Sequence, residues 1–296
     1  MDLARPRFAF RDEVFAIRSA RLEGTRFEGL WCAGSLAALA GRIVAIVGPR
    51  APSDGARARA HALAATLARS GVGVISGLAI GIDGAAHAGA LAGHGRTVGM
   101  LGGGHRRFFP QRNRALAEAM IANGGAVLSP YAPDEPARPH QFLQRNGLVA
   151  AFSDAVVIVE AAARSGALNT ASWAAELGID VLAFPGDVDR PKAAGCNTLI
   201  RDGAILVRDA DDVLAHLGLT RDPAPSELEQ APPRADPLER RIVAALAGGP
   251  VDFDGLLATT AASTADLIAA LVRLEMDDAI ERRDALAYSL PASRAR

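Results

Sequence analysis

Short apolar runs alternate with alanine-rich amphipathic stretches through the middle of this 296-residue chain. The runs are rich in β-branched residues, as buried parallel strands are, and the stretches between them have helical spacing. The predicted strands are Ile43–Val47, Val72–Ile75, Thr97–Leu101, Ala126–Leu128, Ala155–Val159, Val181–Phe184 and Ile205–Val207, and the predicted helices are Ala56–Arg69, Gly84–Leu91, Arg112–Ala122 and Leu168–Leu177. The alternation predicts an α/β domain with a doubly wound, mostly parallel sheet over residues 41–219.

The two ends of the chain depart from this alternation. Residues 1–40 are weakly patterned, and we expect them to pack as a short extension on the edge of the core. Residues 220–236 contain four prolines and no apolar periodicity, which is typical of a linker. Residues 237–296 predict a small winged-helix domain, with helices Pro237–Leu246, Phe253–Thr259 and Ser263–Met276 and strands Ala279–Arg282 and Ala285–Leu290.

Composition sets limits on the class of protein. The chain is 50% hydrophobic with a net charge of -1, so it is globular and has no global positive field for nucleic acid, although a local patch can still bind. Cys32 and Cys196 are isolated, so neither a disulfide framework nor a metal site is predicted. We find no signal-like segment and no long apolar run, so we expect a cytoplasmic protein that does not contact membranes.

The first candidate site follows the apolar run Ile43–Val47. Gly48 begins a tight turn, Arg50 lies next to it, and Ser53 or Asp54 opens a helix. A helix N-terminus at the carboxyl edge of a parallel sheet offers N–H groups and a favourable dipole to an anion, and Arg50 adds a charge. The turn therefore predicts a phosphate site, for either a nucleotide or a nucleic-acid backbone.

The second candidate site lies between a predicted strand and its helix, at Ser76 and Gly77. Asp83 falls in the first turn of that helix and His87 one turn later on the same face. The pair is either an acid–base couple or an N-capping Asp beside a packed His. We favour the capping interpretation because no nucleophile accompanies the pair.

The third candidate site is a basic and aromatic stretch. Arg106, Arg107 and Arg112 surround Phe108 and Phe109. Arginines can bind phosphates and aromatic rings can stack on bases, so the stretch is suited to single-stranded nucleic acid. Alternatively, the stretch is a solvated loop whose two aromatic rings pack into the hydrophobic core. The sequence leaves these two interpretations open.

Two further stretches offer groups for bases and phosphates at strand–helix junctions. A ring and its polar neighbours suit stacking and hydrogen bonding, and small hydroxyl residues suit anion binding. These candidates are Phe142, Arg145, Asn146, Ser165, Gly166 and Thr170. All five stretches are expected to converge on one crevice. No P-loop, G-x-G-x-x-G or G-x-S-x-G signature is present, so no cofactor or hydrolase class is indicated.

Taken in order, these stretches resemble the DNA-processing protein A (DprA, or Smf) family over roughly residues 28–216. The matching pieces are Val44–Arg50, Ser76–His87, Gly95–Gly104, Pro110–Asn113, Gln141–Asn146, Val159–Thr170, Phe184–Gly186 and Gly195–Ile200. The resemblance implies an extended Rossmann-like domain that binds single-stranded DNA, forms a homodimer and passes strands to a RecA-like recombinase, without being an enzyme. The DNA contacts it implies are Arg50, Ser76, Gly77, Phe142, Arg145, Asn146, Ser165, Gly166 and Thr170.

The chain departs from the family pattern in three places. Only about 40 residues precede the sheet, where the family usually has a helical domain. Gly147 replaces a family arginine, which we expect to remove a charge from the binding face, and Asn169 places an extra polar group near the crevice. These departures indicate a diverged member, whose pathway (transformation, recombination or defence) stays open.

Two alternatives remain. A nucleotide phosphoribohydrolase of the lonely-guy type has a related fold, although this chain has Arg164–Thr170 in place of that enzyme's Pro-Gly-Gly-x-Gly-Thr loop, with Glu160 ahead of it. A winged helix that binds duplex DNA would need a basic face, but residues 237–296 carry seven arginines against nine acidic residues. A protein-contact role suits that domain better.

Overall fold

In a computed structural model, the described residues are 7–9, 21, 27–220, 237–247, 249–276, 279–282 and 287–289. The chain divides into two compact units, Met1–Asp222 and Pro223–Arg296. Most of the predicted linker and the turn at Arg283 and Asp284 lie outside the described residues, as does most of the predicted extension before residue 27.

The first unit is built on a nine-stranded sheet. Its strands are β1 (Arg7–Ala9), β2 (Gly29–Gly34), β3 (Ile43–Val47), β4 (Gly73–Ser76), β5 (Thr97–Met100), β6 (Ala126–Ser129), β7 (Ala155–Ile158), β8 (Val181–Ala183) and β9 (Ile205–Leu206), in the spatial order β1-β2-β6-β5-β4-β3-β7-β8-β9. Pairing is parallel from β6 to β9 and antiparallel for β1 with β2 and for β2 with β6. The predicted doubly wound, mostly parallel fold is confirmed.

Helices cover both faces of this sheet. They are α1 (Asp54–Arg69), α2 (Ile82–Ala92), α3 (Arg114–Ala122), α4 (Pro139–Ala151), α5 (Gly166–Glu176), α6 (Ala194–Arg201) and α7 (Ala210–His216), with short 3-10 turns at Leu36–Leu39, His105–Arg107 and Gln111–Asn113. All five residues of β3 are buried, and they alternate between two cores. Val44 and Ile46 pack against α1, α2 and α7, whereas Ala45 and Val47 pack against α4 and α5, as the period of two in a strand requires.

Several elements are absent from the sequence prediction, among them strands β1 and β2 and helices α4, α6 and α7. Strand β2 pairs with β6 through a short segment that carries little pattern of its own. Helix α4 begins at Pro139 and is not among the predicted helices. Proline is favoured at the first helical position because no intrahelical partner is needed for its missing N–H, and the amide of Arg138 donates to Gln141 Oε1 at 2.6 Å just before the helix.

The strand order creates the crevice that matters for function. From β3 the chain runs through β4 and β5 to β6 on one side, and it then returns to place β7 and β8 on the other side of β3. The connections after β3 and β7 therefore diverge, and the position between these two strands is the switch point of the sheet. A crevice opens there, outside the carboxyl ends of the strands, and it is the usual ligand position in such sheets.

The second unit is a winged helix. It contains α8 (Pro237–Leu246), β10 (Val251–Asp252), α9 (Phe253–Thr260), α10 (Thr264–Met276), β11 (Glu281–Arg282) and β12 (Ala287–Ser289). Apolar residues from all three helices form its core, including Ile242, Leu256 and Leu267. Among the described helices of both units, none has the length and apolar character needed to cross a bilayer.

Candidate functional site

A cavity of about 470 Å³ opens at the switch point. Its walls come from the turns after β3, β4 and β7, from one face of α4 and from the loop after β8. The lining residues are Val47, Gly48, Pro49, Arg50, Ala79, Asp83, Phe142, Leu143, Arg145, Asn146, Ala162, Arg164, Ser165, Gly166, Ala167 and Lys192. The structure thus brings together Gly48, Arg50, Phe142, Arg145, Asn146, Ser165 and Gly166 from the set that the sequence singled out.

Phe142 stands at the centre of a cluster of rings and guanidinium groups. The Arg50 guanidinium carbon lies 5.2 Å from the centre of the Phe142 ring, and that of Arg145 lies 5.9 Å from it. The ring of Phe109, which is 50% exposed, lies 6.0 Å away at an angle of 60°. These are cation–π and tilted ring contacts. They bring two positive charges close to one aromatic ring that lines the cavity.

Arg145 forms part of the cavity floor, with only 3% of the residue exposed. Its guanidinium lies directly over Gly77, where a Cβ atom would come within 1.6 Å of Nη1. Burial lowers the pKa of Arg145 to about 10, and the negative charge of Asp83 opposes that shift. Arg145 therefore stays charged at neutral pH, and its buried Nε has no hydrogen-bond partner among the described residues.

Asp83 does not have the role that the sequence suggested, whereas His87 does. Gly81, not Asp83, caps α2, and Asp83 instead accepts a hydrogen bond from the preceding Ala79 amide at 3.2 Å. Burial raises the pKa of Asp83, and the positive charge of Arg145 opposes that rise. Burial lowers the pKa of His87 to about 3, and the charge of Arg145 adds to that shift. The capping interpretation of Asp83 is wrong, because the loop after β4 turns back over the carboxylate.

His87 is a packed neutral side chain, as expected if the pair is not an acid–base couple. It is 0% exposed, and its Nδ1 lies 2.7 Å from the Thr97 hydroxyl. That hydroxyl donates to the Val74 carbonyl at 3.0 Å. An imidazole that is neutral down to a pKa of about 3 is a poor proton acceptor at neutral pH.

The N-terminus of α1 is occupied by a carboxylate of the protein itself. Glu160 accepts hydrogen bonds from the Ser53 amide at 2.9 Å and from the Ser53 hydroxyl at 2.7 Å. The expectation that this helix end binds a ligand phosphate is therefore wrong, because Glu160 already supplies the anion that the helix dipole favours. The side chain of Arg50, rather than the helix end, is the group that this turn offers to the cavity.

The start of α5 forms a further wall of the cavity. Ser165 caps the helix by accepting from the Ala167 amide at 3.3 Å, and Gly166 follows it on the lining. Asn146 donates to Asn169 Oδ1 at 3.2 Å, which joins α4 to α5. The extra polar group of Asn169 is thus held by Asn146. Amide and hydroxyl groups of this kind can hold a phosphate or the edge of a base.

Several of the predicted site residues lie away from the cavity lining. Ser76 is 0% exposed and donates to the Ile46 carbonyl at 2.7 Å, Gly77 lies beneath Arg145, and Thr170 is 1% exposed. Gly147 is buried, and a Cβ there would lie 3.1 Å from the ring of Trp173. The expected loss of a charge from the binding face at position 147 is therefore wrong, because that position faces the packing between α4 and α5.

The basic and aromatic stretch splits into two parts. Phe108 is 5% exposed and packs in a small core with Leu78 and Met120, as the core-packing interpretation expects, whereas Phe109 joins the ring cluster. Arg106 pairs with Asp134 at 2.7 Å. Arg107 and Arg112 are exposed near that pair in sequence, and neither lines the cavity.

The cavity has a strong local positive charge. Arg50, Arg145, Arg164 and Lys192 line it against a single carboxylate, Asp83, although the whole chain has a net charge of -1. Arg164 and Lys192 are not among the predicted site residues, and the loops after β7 and β8 bring them to the cavity. In the described part of the chain, no cluster of three or more His, Cys, Asp or Glu residues could hold a metal ion. The site is suited to a polyanion with a flat, stackable group.

Comparisons with known proteins identify the family of the chain. Residues 19–218 match the family model described as DNA recombination-mediator protein A, and residues 222–285 match the DprA winged helix domain. A DNA processing protein DprA of Mycobacterium tuberculosis is 42% identical over 266 residues, which span 86% of this chain and 67% of that protein. The Smf protein of Escherichia coli is 40% identical over 188 residues, spanning 64% of this chain and 50% of its own length.

Two solved structures share the fold. DprA of Streptococcus pneumoniae superposes with a TM-score of 0.66 at 34% identity, covering 72% of this chain and 74% of that one. DprA of Helicobacter pylori, which was solved to examine its single-stranded DNA binding mode, gives a TM-score of 0.62 at 26% identity, covering 73% of this chain and 98% of that one. By its sequence, its sheet and its winged helix, the chain belongs to the DprA/Smf family of DNA recombination mediators.

Proposed function

We propose that this protein binds single-stranded DNA in the cavity at the switch point and acts as a recombination mediator. The observation that supports it most directly is the Phe142 ring close to the guanidinium groups of both Arg50 and Arg145, in a cavity with a surplus of positive charge. The ring suits a base and the guanidinium groups suit its phosphates. The relative from Helicobacter pylori, described for its single-stranded DNA binding mode, supports the same ligand.

The shape of the site favours a single strand over a duplex. Phe142 is only partly exposed at the edge of the cavity, and Arg145 beneath it is buried. A base must leave its stack to lie against that ring, and an unpaired strand does so at the lowest cost. We assign Gly48, Arg50, Phe142, Arg145, Asn146, Ser165 and Gly166 to direct contact, with Ser76, Gly77 and Thr170 as their support.

The remaining parts of the proposal rest on family membership. We propose that the protein works without catalysis in the cytoplasm, as a homodimer, and passes its strand to a RecA-like recombinase. Residues 41–219 would be the strand-binding domain and residues 237–296 a separate domain. The sequence of α10 carries one arginine, Arg273, against the acidic residues Asp266 and Glu275, so a protein contact suits that helix better than a DNA groove.

The phosphoribohydrolase alternative is not favoured. Glu160, the acidic residue ahead of the Arg164–Thr170 loop, is 8% exposed and already accepts two hydrogen bonds from Ser53. A general base must lie within hydrogen-bond reach of the proton that it removes, and Glu160 does not line the cavity.

Fluorescence anisotropy tests the proposed function. Labelled oligo-dT should bind in preference to a duplex of equal length, and the affinity should fall with salt by about 0.7 log units per log unit of salt for each neutralised phosphate. Arg50→Ala should weaken binding about tenfold to a hundredfold, because it removes a charge-assisted contact.

The matched control is Arg69→Ala, which removes the same charge from the opposite end of α1 and should leave affinity unchanged. The 16 residues of that helix separate the two ends by about 24 Å. Equal affinity for duplex and single strand, or no binding at low salt, would overturn the proposed function.

A further inference from the structure

Lys192 is the sole lysine of the chain and lies in the loop between β8 and α6. Its Nζ donates to the Ala51 carbonyl at 2.9 Å, so a side chain from beyond β8 reaches across to the turn after β3. The residue is exposed and lines the cavity. That one bond fixes the ammonium group in place while leaving it two further N–H donors for a ligand.

The ammonium and the Phe142 ring contact the backbone at the ends of different strands. Phe142 packs against Gly102, directly after β5, where a Cβ would lie 2.6 Å from the ring. Lys192 reaches the backbone after β3, and β4 lies between those two strands. Two strand spacings, about 10 Å, separate the strand ends that the ring and the ammonium contact. One phosphate beside the ring therefore does not reach Lys192.

Arg164 adds a second cation, at the end of a strand that neighbours β8. It follows β7, the strand between β3 and β8, and it is exposed on the cavity lining. It forms no ion pair with any residue in the described ranges, and neither does Lys192. Both charges are available to a ligand.

We propose that Lys192, together with Arg164, forms a second phosphate subsite, so that a bound strand crosses the carboxyl edge of the sheet from Phe142 towards the loop after β8. This inference rests on the proposed function and adds a direction and a minimum length to it. A base stacks at Phe142, its own phosphate lies between Arg50 and Arg145, and a following phosphate in the strand meets Lys192. A ligand with one phosphate would use only the first subsite.

Amine footprinting of the unaltered protein tests the subsite directly. An amine-acylating reagent can modify only Lys192 and the N-terminal amine, because the chain has no other lysine. Saturating dT12 should slow acylation of Lys192 about fivefold or more, since a phosphate contact buries the nucleophile, while the N-terminal amine reacts at an unchanged rate. If dT12 is bound, as anisotropy of the same sample shows, and Lys192 still reacts at its free rate, the subsite is refuted.

A length series supplies the second test. Lys192→Ala should lower the affinity for dT12 by about tenfold and reduce the slope of log affinity against log salt by about 0.7, whereas the affinity for dT2 should be nearly unchanged. Lys192→Arg should restore most of the affinity, and Arg69→Ala serves again as the control. Equal affinities for Lys192→Ala and wild type at every length would refute the subsite while leaving the proposed function intact. A wild type that binds no oligonucleotide would instead refute both.

Discussion

The substitution Gly77→Ala should displace the guanidinium of Arg145 and leave its charge unchanged, so it tests the position of that group alone. The added Cβ would lie 1.6 Å from Arg145 Nη1 and 2.5 Å from Cζ, whereas ordinary contacts between such atoms are about 3.5–4.0 Å. The guanidinium must therefore move by roughly 2 Å. The backbone at Gly77 is not left-handed, so alanine adds a steric effect alone.

The two consequences have different sizes. Moving the end of a flexible side chain should cost about 1–3 kcal/mol of unfolding free energy, as overpacking usually does. Displacing the guanidinium from the cavity floor should cost the strand a charge-assisted contact, about 1.5–3 kcal/mol, or about tenfold to a hundredfold in Kd. We expect the loss of affinity to exceed what unfolding of the variant explains, because the folded fraction stays close to one.

Urea unfolding and anisotropy with oligo-dT measure these two quantities on the same preparation. Gly55→Ala is the matched control, since a Cβ at that position meets no atom within 4 Å and the residue lies outside the cavity. In the Gly77→Ala background, Arg145→Ala should add little further loss, because the two changes remove one contact. Wild-type affinity in the folded Gly77→Ala variant would refute the role of Arg145 as a fixed part of the floor.

Two further predictions concern stability. Because burial lowers the pKa of His87 from 6.5 to about 3, the unfolded chain binds a proton between those values that the folded chain does not, so stability should fall as the pH falls below 6.5. His87→Asn should flatten that slope by up to about 1.4 kcal/mol per pH unit in urea unfolding, and an unchanged slope would contradict the assignment. Glu160→Ala should lower the free energy of unfolding by about 1–3 kcal/mol, because it leaves the Ser53 amide and hydroxyl without their acceptor. The control is Glu118→Ala, which breaks an exposed pair with Arg114 and should lower the same free energy by about 0.5 kcal/mol. Equal losses in the two variants would show that the Glu160 contacts contribute no more than a surface ion pair.

The fold was largely readable from the sequence. The buried strands of the parallel sheet carry continuous apolar runs such as Ile43–Val47, and the helices between them have their own spacing. Those local patterns placed seven of the nine strands to within a residue or two. Strand β2 and helix α4 were missed because each depends on a neighbour: β2 on pairing with β6, and α4 on the cap around Arg138 and Gln141.

The site was only partly readable. Sequence order placed Arg50, Phe142 and Arg145 among the candidates because ring and guanidinium groups beside strand ends are suited to nucleic acid. It could not show that Glu160 occupies the helix end at Ser53, since these residues are 107 positions apart. Nor could it show that Gly147 faces Trp173, because the packing of α4 on α5 decides that orientation.

The sequence by itself determined the alternation of strands and helices, the winged-helix pattern and the residue types at each turn, because these depend on periodicity and local backbone preference. The tertiary structure alone decided which turns meet and which charges remain available to a ligand. Asp83 and Arg145 each shift the pKa of the other, and Lys192 reaches the turn after β3, although the chain separates the residues of each pair widely. A short-range pattern carries no information about such pairs, since strand order, rather than sequence distance, sets what lies at the carboxyl edge of a sheet.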